Sequence, residues 1–332
     1  MSVTSWDVTN FNCDEDEATF AIRACGKLWI VYVRAGDLGE FSGKKDFLSL
    51  IQEAHDNYDA EEALYELISD TILQILRDHN SRSIDPLQFT LQDFYIPETL
   101  FFKLGGKGSH LTYLPWVKDR PDLLGITPLI SLSSITDSSE VPHFDASIAK
   151  ISPRFGQDPD DVLSSTPSCV TLSENPERYH FKAVQGHQSF LREFQILLKI
   201  KQSGLNQKHR LPLIHGLVHY SGKPEKILGV LMKYIEHEAT LANYFSQGRI
   251  TRSLEKKWQQ QIMETLQELH SHEIVWGDVK PDNVLIDNNK DAHLIDFGGG
   301  FNSEYVDEDV IETVQGDLQG VSRIMEAISG SR

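Results

Sequence analysis

The chain has 332 residues, 40% hydrophobic and 24% charged, which is enough for two ordinary domains or one large one with a real core. It carries 49 acidic and 31 basic side chains, a net charge of −18. Such a field repels nucleic acid and anionic membrane surfaces, so general polyanion binding is excluded; a solvated acidic surface explains the excess as well as a basic partner does.

Cys13, Cys25 and Cys169 are few, odd in number and widely spaced, with no CxxC pair. Neither a disulfide framework nor a thiolate metal site is expected, and an intracellular compartment, cytoplasmic or nuclear, fits best. The first twenty residues lack the basic and apolar regions of a secretory signal. The longest apolar run, Leu28 to Val33, is too short for a membrane span.

In chain order, residues 18–33 predict two strands around a Cys-Gly-Lys turn at Gly26. Residues 45–79 change to a helical pattern, with Leu64, Leu67, Ile68, Ile72, Ile75 and Leu76 recurring at three and four. Acids crowd its start and Arg77 lies near its end, as the helix dipole prefers. Pro97 and Gly105-Gly106 punctuate an aromatic run. Residues 107–170 look irregular, with a Ser-rich linker and a domain boundary near 140–150. We therefore expect an N-terminal α+β domain over 1–145 and a second domain over 146–332.

In the second domain a hairpin is expected across "ENPE", then a helix over 188–202 with Leu191, Phe194, Leu197 and Leu198 on one face. "LPLIHGLVHY" and "KILGVLMKYIE" predict buried strands. "SLEKKWQQQIMETLQELHSH" predicts a long helix with a partial capping box, Ser253 followed by Lys256 rather than Glu. A last helix is expected from "DEDVIETVQGDLQGVSRIMEAI".

The chemistry concentrates in "EIVWGDVKPDNVLIDNNKDAHLIDFGGG", Glu273 to Gly300. Asp278, Lys280 and Asn283 form a D-x-K-x-x-N loop running into one strand, and a second strand leads to Asp296-Phe297-Gly298. Phosphoryl transfer needs positioned positive charge, an in-line nucleophile and a carboxylate beside it. Asp278 suits the carboxylate role and Lys280 the γ-phosphate clamp. Asn283 and Asp296 offer the hard oxygen ligands that Mg²⁺ prefers.

These residues resemble the catalytic loop and D-F-G motif of the protein-kinase superfamily. The resemblance implies an α+β, two-lobed fold with a shortened C-lobe, an N-lobe over about 160–235 and a C-lobe over about 236–332. It implies ATP and Mg²⁺ as cofactors. By position, Lys182 in "YHFKAV" matches the N-lobe lysine that grips the α/β-phosphates, and Glu193 in "LREFQILLKI" matches its helix partner. Met232 falls at the strand position before the adenine hinge, with Lys233, Tyr234 and Ile235 in the hinge. Asp317 matches the aspartate that buttresses the catalytic loop, and Gly298 completes the D-F-G turn. The helical "AEEALYELI" and "DFYIPETLFFKL" ahead of this domain are similar to kinase-like proteins of filamentous fungi.

Three departures stand out. "VLSSTPSCVTL" is Ser-rich where the family has a Gly-rich phosphate loop, and Pro167 removes one backbone donor. Trp276-Gly277 stands where the family has His-Arg, which removes the anchor for a phosphorylated activation segment. The later C-lobe helices are missing, so the resemblance identifies no peptide platform. The resemblance implies an ATP- and Mg²⁺-dependent phosphotransferase, with Lys280 favouring a Ser/Thr hydroxyl of a protein over a small molecule. The alternative is a pseudokinase, a nucleotide-binding or scaffold module; a third reading makes residues 1–145 an interaction module. His270 and His272, with no further ligands in the sequence, predict solvated or satisfied side chains rather than a metal site. Substrate identity and oligomeric state are not encoded in any motif.

Overall fold

The structure is a computed structural model that describes residues 6–24, 26–54, 56–79, 88–116, 129–153, 166–173, 175–248 and 250–330. The chain divides into two compact units, Met1–Ile126 with Ser147–Pro167, and Thr127–Ala146 with Ser168–Arg332. Both helices and sheets build it, as an α+β fold requires.

The first unit begins with three antiparallel strands, β1 (Asp7–Cys13), β2 (Glu17–Ala24) and β3 (Lys27–Arg34). Gly26 turns the chain between β2 and β3 at φ 72°, a conformation that glycine adopts without a Cβ penalty. Helices α1 (Lys44–Ala54), α2 (Tyr58–His79) and the short α3 (Leu91–Tyr95) follow, then β4 (Thr99–Lys107) and β5 (His110–Pro115). The sheet order is β1-β2-β3-β4-β5, and only β3–β4 is parallel. A parallel pair needs a long crossover, and the helices supply it. Alternate residues of the strands (Phe20, Ile22, Trp29 and Val31) pack with Phe47, Ile51, Leu64, Ile68 and Ile72 of α1 and α2. The helical stretch expected over 45–79 is thus two helices. Asn57 separates them, its side chain accepting from the amide of Asp59 at 3.0 Å in the local pattern that competes with helix.

The second unit holds the short strands β6 (Ile130–Ser131) and β7 (His143–Asp145), before the chain gives β8 (Ala149–Ile151) to the first unit. Residues 107–170, expected to be irregular, therefore include several regular segments. From Ser168 the elements run β9 (Cys169–Leu172), β10 (Asn175–Ala183), α4 (His187–Ser203), α5 (Leu205–Lys208), β11 (Ile214–Tyr220) and β12 (Lys223–Lys233). Then come β13 (His237–Thr240), α6 (Leu241–Ser246), α7 (Arg252–Ser271), β14 (Val284–Asp287), β15 (Ala292–Leu294) and α8 (Val314–Gly330). The larger sheet runs β7-β11-β12-β10-β9, with β6 also on β12. Phe190, Phe194, Leu197 and Leu198 of α4 share one core with Val230 and Met232 of β12, and with Trp258, Ile262 and Leu266 of α7. Gly229 lets β12 approach β10: a Cβ there would fall on the carbonyl of Lys182.

Two boundaries differ from the sequence expectation. Helix α7 starts two residues earlier, because Thr251 caps it by accepting from the amide of Leu254 at 3.3 Å, and Ser253 lies inside the helix. Helix α8 starts at Val314 rather than near Asp307, because Glu312 has φ 53°, a left-handed value that a helix cannot include. Residues 308–310 form only a 3₁₀ turn.

Candidate active site

The β14–β15 hairpin assembles the site. Its register pairs Val284 with Leu294, so Asn283 leads into one arm while Ile295 and then Asp296 follow the other. The turn is closed by Asp287, whose Oδ1 accepts from the amides of Asn289 and Asp291, both at 2.8 Å. The amide of Ile295 donates to the carbonyl of Asn283 at 3.0 Å and locks the two ends together. Pro281 opens the 3₁₀ turn Pro281–Asn283, which presents the Asn283 side chain.

Asp278 is buried, and its Oδ2 accepts from Lys280 Nζ at 2.7 Å and from Asn283 Nδ2 at 2.8 Å. Its Oδ1 faces Gly300, where a Cβ would stand 2.7 Å away. Lys182, on β10, lies between two carboxylates: Glu193 of α4 at 2.8 Å and Asp296 at 2.7 Å. Burial works against the Lys182 charge, but Glu193 and Asp296 outweigh it and raise the ammonium above its ordinary range. Burial pushes Glu193 up despite Lys182. Burial also acts upward on Asp296, but the Lys182 contact and the Gly298 amide hold it below the usual carboxylate range. Asp296 itself has φ 62°, a strained backbone that non-glycine residues hold only where surroundings fix it.

These groups line one cavity of about 330 Å³, which Lys182, Glu193, Asp278, Lys280, Asp296 and Gly298 share with Gly300 and Phe301. Met232 is buried near the end of β12, Tyr234 and Ile235 just beyond it are half-buried, and none of the three lines this cavity. The Tyr234 amide donates to the Arg178 carbonyl at 3.2 Å, and the Arg178 guanidinium stacks over the Tyr234 ring at 4.2 Å. His237 Nδ1 lies 2.8 Å from the carbonyl of Ile235.

Asp317 is buried at 1% exposure beneath the loop. Its two oxygens accept from the amides of Trp276 and Gly277, each at 2.8 Å, and His270 Nε2 lies 2.8 Å from Oδ2. His270 therefore has a structural partner that its spacing to His272 did not suggest. Trp276 is fully buried and its indole donates to the carbonyl of Ile295 at 2.8 Å. Arg192, next to Glu193 on α4, reaches the same loop; its only sequence signal was the "R-E" pair.

The oxygen donors suit a hard cation. Asn283 donates both its amide hydrogen bonds to Asp278, to Oδ2 and to the backbone carbonyl, which leaves its own carbonyl oxygen as the acceptor. The hydrogen bonds that Asp296 accepts from Lys182 and from Gly298 both use Oδ1, which leaves Oδ2. Among the described residues no group of three or more His, Cys, Asp or Glu could hold a metal, but Mg²⁺ commonly takes only one or two carboxylate or amide ligands beside waters and phosphates.

Of "VLSSTPSCVTL", residues 162–165 lie outside the described residues and Cys169–Leu172 is strand β9. Thr166 to Ser168 do not line the cavity, and the carbonyl of Ser168 accepts from the amide of Phe181 at 2.9 Å.

The family model described as protein kinase domain matches residues 177–319, from β10 into α8. Residues 177–319 are a protein-kinase-like domain. The chain is 35% identical over 86 residues to mitogen-activated protein kinase kinase kinase 3 of Mus musculus, a match that covers 25% of this chain and 14% of that protein. It is 33% identical over 104 residues to the dual specificity protein kinase zakA of Dictyostelium discoideum, covering 30% of this chain and 13% of that protein. Serine/threonine-protein kinase PKH1 of Saccharomyces cerevisiae is 24% identical over 150 residues, 44% of this chain and 19% of the relative. The chain thus spans less than a fifth of the length of each of these relatives. Among the described residues no helix is long and apolar enough to cross a membrane.

Proposed function

We propose that the kinase-like domain is an ATP- and Mg²⁺-dependent phosphotransferase acting on a Ser/Thr hydroxyl of a protein. The observation that carries this reading is the Lys182 ammonium held between Glu193 and Asp296, in one cleft with Asp278 and Lys280. A lysine fixed this way presents charge to the α/β-phosphates without reorganisation during transfer. Asn283 and Asp296 would hold Mg²⁺, which would supply neutralisation of the phosphate charge. Asp278, with Oδ2 held by Lys280 and Asn283, keeps Oδ1 toward the cleft to orient the acceptor hydroxyl and take its proton. Lys280 steadies the γ-phosphate. Met232, Tyr234 and Ile235 are assigned to the adenine end, beyond the phosphate cavity. Asp317 keeps the loop in register through the Trp276 and Gly277 amides. The relatives named as serine/threonine and dual specificity kinases support the protein hydroxyl as acceptor.

The pseudokinase reading draws on one observation: Thr166 to Ser168, the described part of the Ser-rich segment ahead of β9, do not line the cavity, whose glycines Gly298 to Gly300 all follow Asp296. A thermal-shift titration with Mg·ATP, run beside a radiolabelled transfer assay on a basic protein substrate, separates the two. The expected result is stabilisation by Mg·ATP, and turnover that Asp278→Asn lowers by roughly 10²–10⁴. Absence of any nucleotide shift sinks phosphotransfer and the nucleotide-binding form of the pseudokinase; a shift without turnover against a broad substrate panel leaves the pseudokinase.

A further inference from the structure

Position 277 has no side chain, and the space is filled from elsewhere in the domain. Gly277 sits at φ 80°, and a Cβ built on it would land on the Arg192 guanidinium, 3.1 Å from Cζ. Arg192 projects from α4, one residue before Glu193. Its Nη2 donates to the carbonyl of Val275 at 3.1 Å, and its Nη1 to the carbonyl of Trp276 at 3.3 Å and to that of Phe297. One guanidinium therefore ties together the segment that leads into Asp278 and the segment that follows Asp296. Glu312, 3.8 Å from Nε, balances the charge, and Gly299 leaves room for that carboxylate, since a Cβ there would fall on Glu312 Oε1. Lys199, two turns along the same face, donates to the carbonyl of Glu273 at 3.3 Å and continues the seam.

The contacts close a ring. Glu193 holds Lys182, Lys182 holds Asp296, the next residue Phe297 holds Arg192, and Arg192 neighbours Glu193 on the helix. We propose that Arg192 is a positioning residue that sets α4, and with it Glu193 and Lys182, against the Asp278 loop, and that Gly277 exists to admit it. The arranged state is then built into the resting chain and does not wait for a modification of the segment between Gly298 and Val314. A guanidinium presents several donors in a rigid fork, which reaches three carbonyls on two segments; a lysine ammonium is a point donor on a flexible stem and does not. This inference rests on the proposed phosphotransfer for its kinetic consequence, but not for its structural one.

The test uses the full chain with Arg192→Ala, Arg192→Lys, Gly277→Ala and the double variant Arg192→Ala/Gly277→Ala. Hydrogen exchange without nucleotide reads the structural claim. Arg192→Ala is expected to speed exchange at least tenfold in peptides covering 275–300 and α4, while the first unit is unchanged. Arg192→Lys is expected to resemble Arg192→Ala, which a mere need for charge would not produce. Gly277→Ala is expected to mimic Arg192→Ala, and to add less in the double variant than in the wild-type background, the non-additivity of two residues that share one contact. Kinetically, Arg192→Ala is expected to lower kcat by at least tenfold with KM for the acceptor within threefold. Unchanged exchange in Arg192→Ala, rescue by Arg192→Lys, or additive effects of the two substitutions would overturn the proposal. A wild type that shows no transfer sinks the phosphotransfer reading alone, because the exchange experiment still decides the role of Arg192.

Discussion

Removing the Asp317 carboxylate tests whether the loop is held from below. The group is 1% exposed and meets three nitrogens, the Trp276 and Gly277 amides and the His270 ring, each at 2.8 Å. Asp317→Ala leaves two buried amides and a ring nitrogen without that acceptor. At about 1–3 kcal/mol for each buried group left unpaired, and with some relief by water, the loss is about 3–5 kcal/mol. Asp317→Asn keeps one oxygen but turns an amide N–H toward a donor, for a loss of about 2–3 kcal/mol. For a unit of this size about 1 kcal/mol moves Tm by roughly 2–4 °C, so Asp317→Ala lowers it by roughly 10 °C. Calorimetry of the full chain measures this, with the shift confined to the transition of the second unit. A Tm for Asp317→Ala within about 2 °C of wild type, less than 1 kcal/mol on that scale, refutes the reasoning.

Three other outcomes follow from the geometry. Lys182→Met leaves Glu193 and Asp296 facing each other without their shared cation, so the stabilisation by Mg·ATP, which grows with ligand over Kd, is lost in a thermal-shift titration. Gly300→Ala puts a methyl 2.7 Å from Asp278 Oδ1, so turnover falls at least tenfold while the Mg·ATP shift and basal Tm stay near wild type; unaltered turnover removes the assigned role of that oxygen. His215 is stacked between Phe144 and Tyr179, and burial holds its pKa below the ordinary value. A depressed histidine binds fewer protons folded than unfolded, so the stability it gives is complete above the unfolded pKa and is lost as pH falls from about 6.5 toward its folded value. His215→Phe is therefore expected to flatten the decline of Tm between neutral and acid pH, and an unchanged decline removes His215 as its source.

The polar groups of the site were legible because phosphate chemistry fixes their types and spacing: Asp278, Lys280, Asn283 and Asp296 flank one short hairpin, where local sequence decides geometry. Lys182 and Glu193 are 11 residues apart and were placed by the resemblance of "YHFKAV" and "LREFQILLKI" to the family's strand and helix. Arg192 was not singled out, and His270 was read as satisfied or solvated without its partner being named, because their partners are backbone carbonyls and a carboxylate 47 to 105 residues away. A pattern of side chains does not encode which carbonyls a guanidinium will reach. The split at Asn57 and the late start of α8 at Val314 were missed for a related reason. A local hydrogen bond at Asn57 and a left-handed Glu312 override apolar periodicity, which continues through both positions. The irregular look of 107–170 came from short strands whose partners lie elsewhere, such as β7 on β11.

The interleaving of the two units limits how this protein can be cut. Residues 127–146 lie earlier in the chain than 147–167, yet they group with the kinase-like unit and the later stretch groups with the other. No single truncation point separates two intact pieces. A fragment starting at Ser168 lacks β7, so β11 becomes an exposed edge strand open to pairing with other chains. It also loses the Thr136 and Glu140 carbonyls that accept from Gln195 and Lys201 on α4. A domain defined by where family similarity begins would therefore be prone to aggregate, and its α4 would be less well held than in the intact chain.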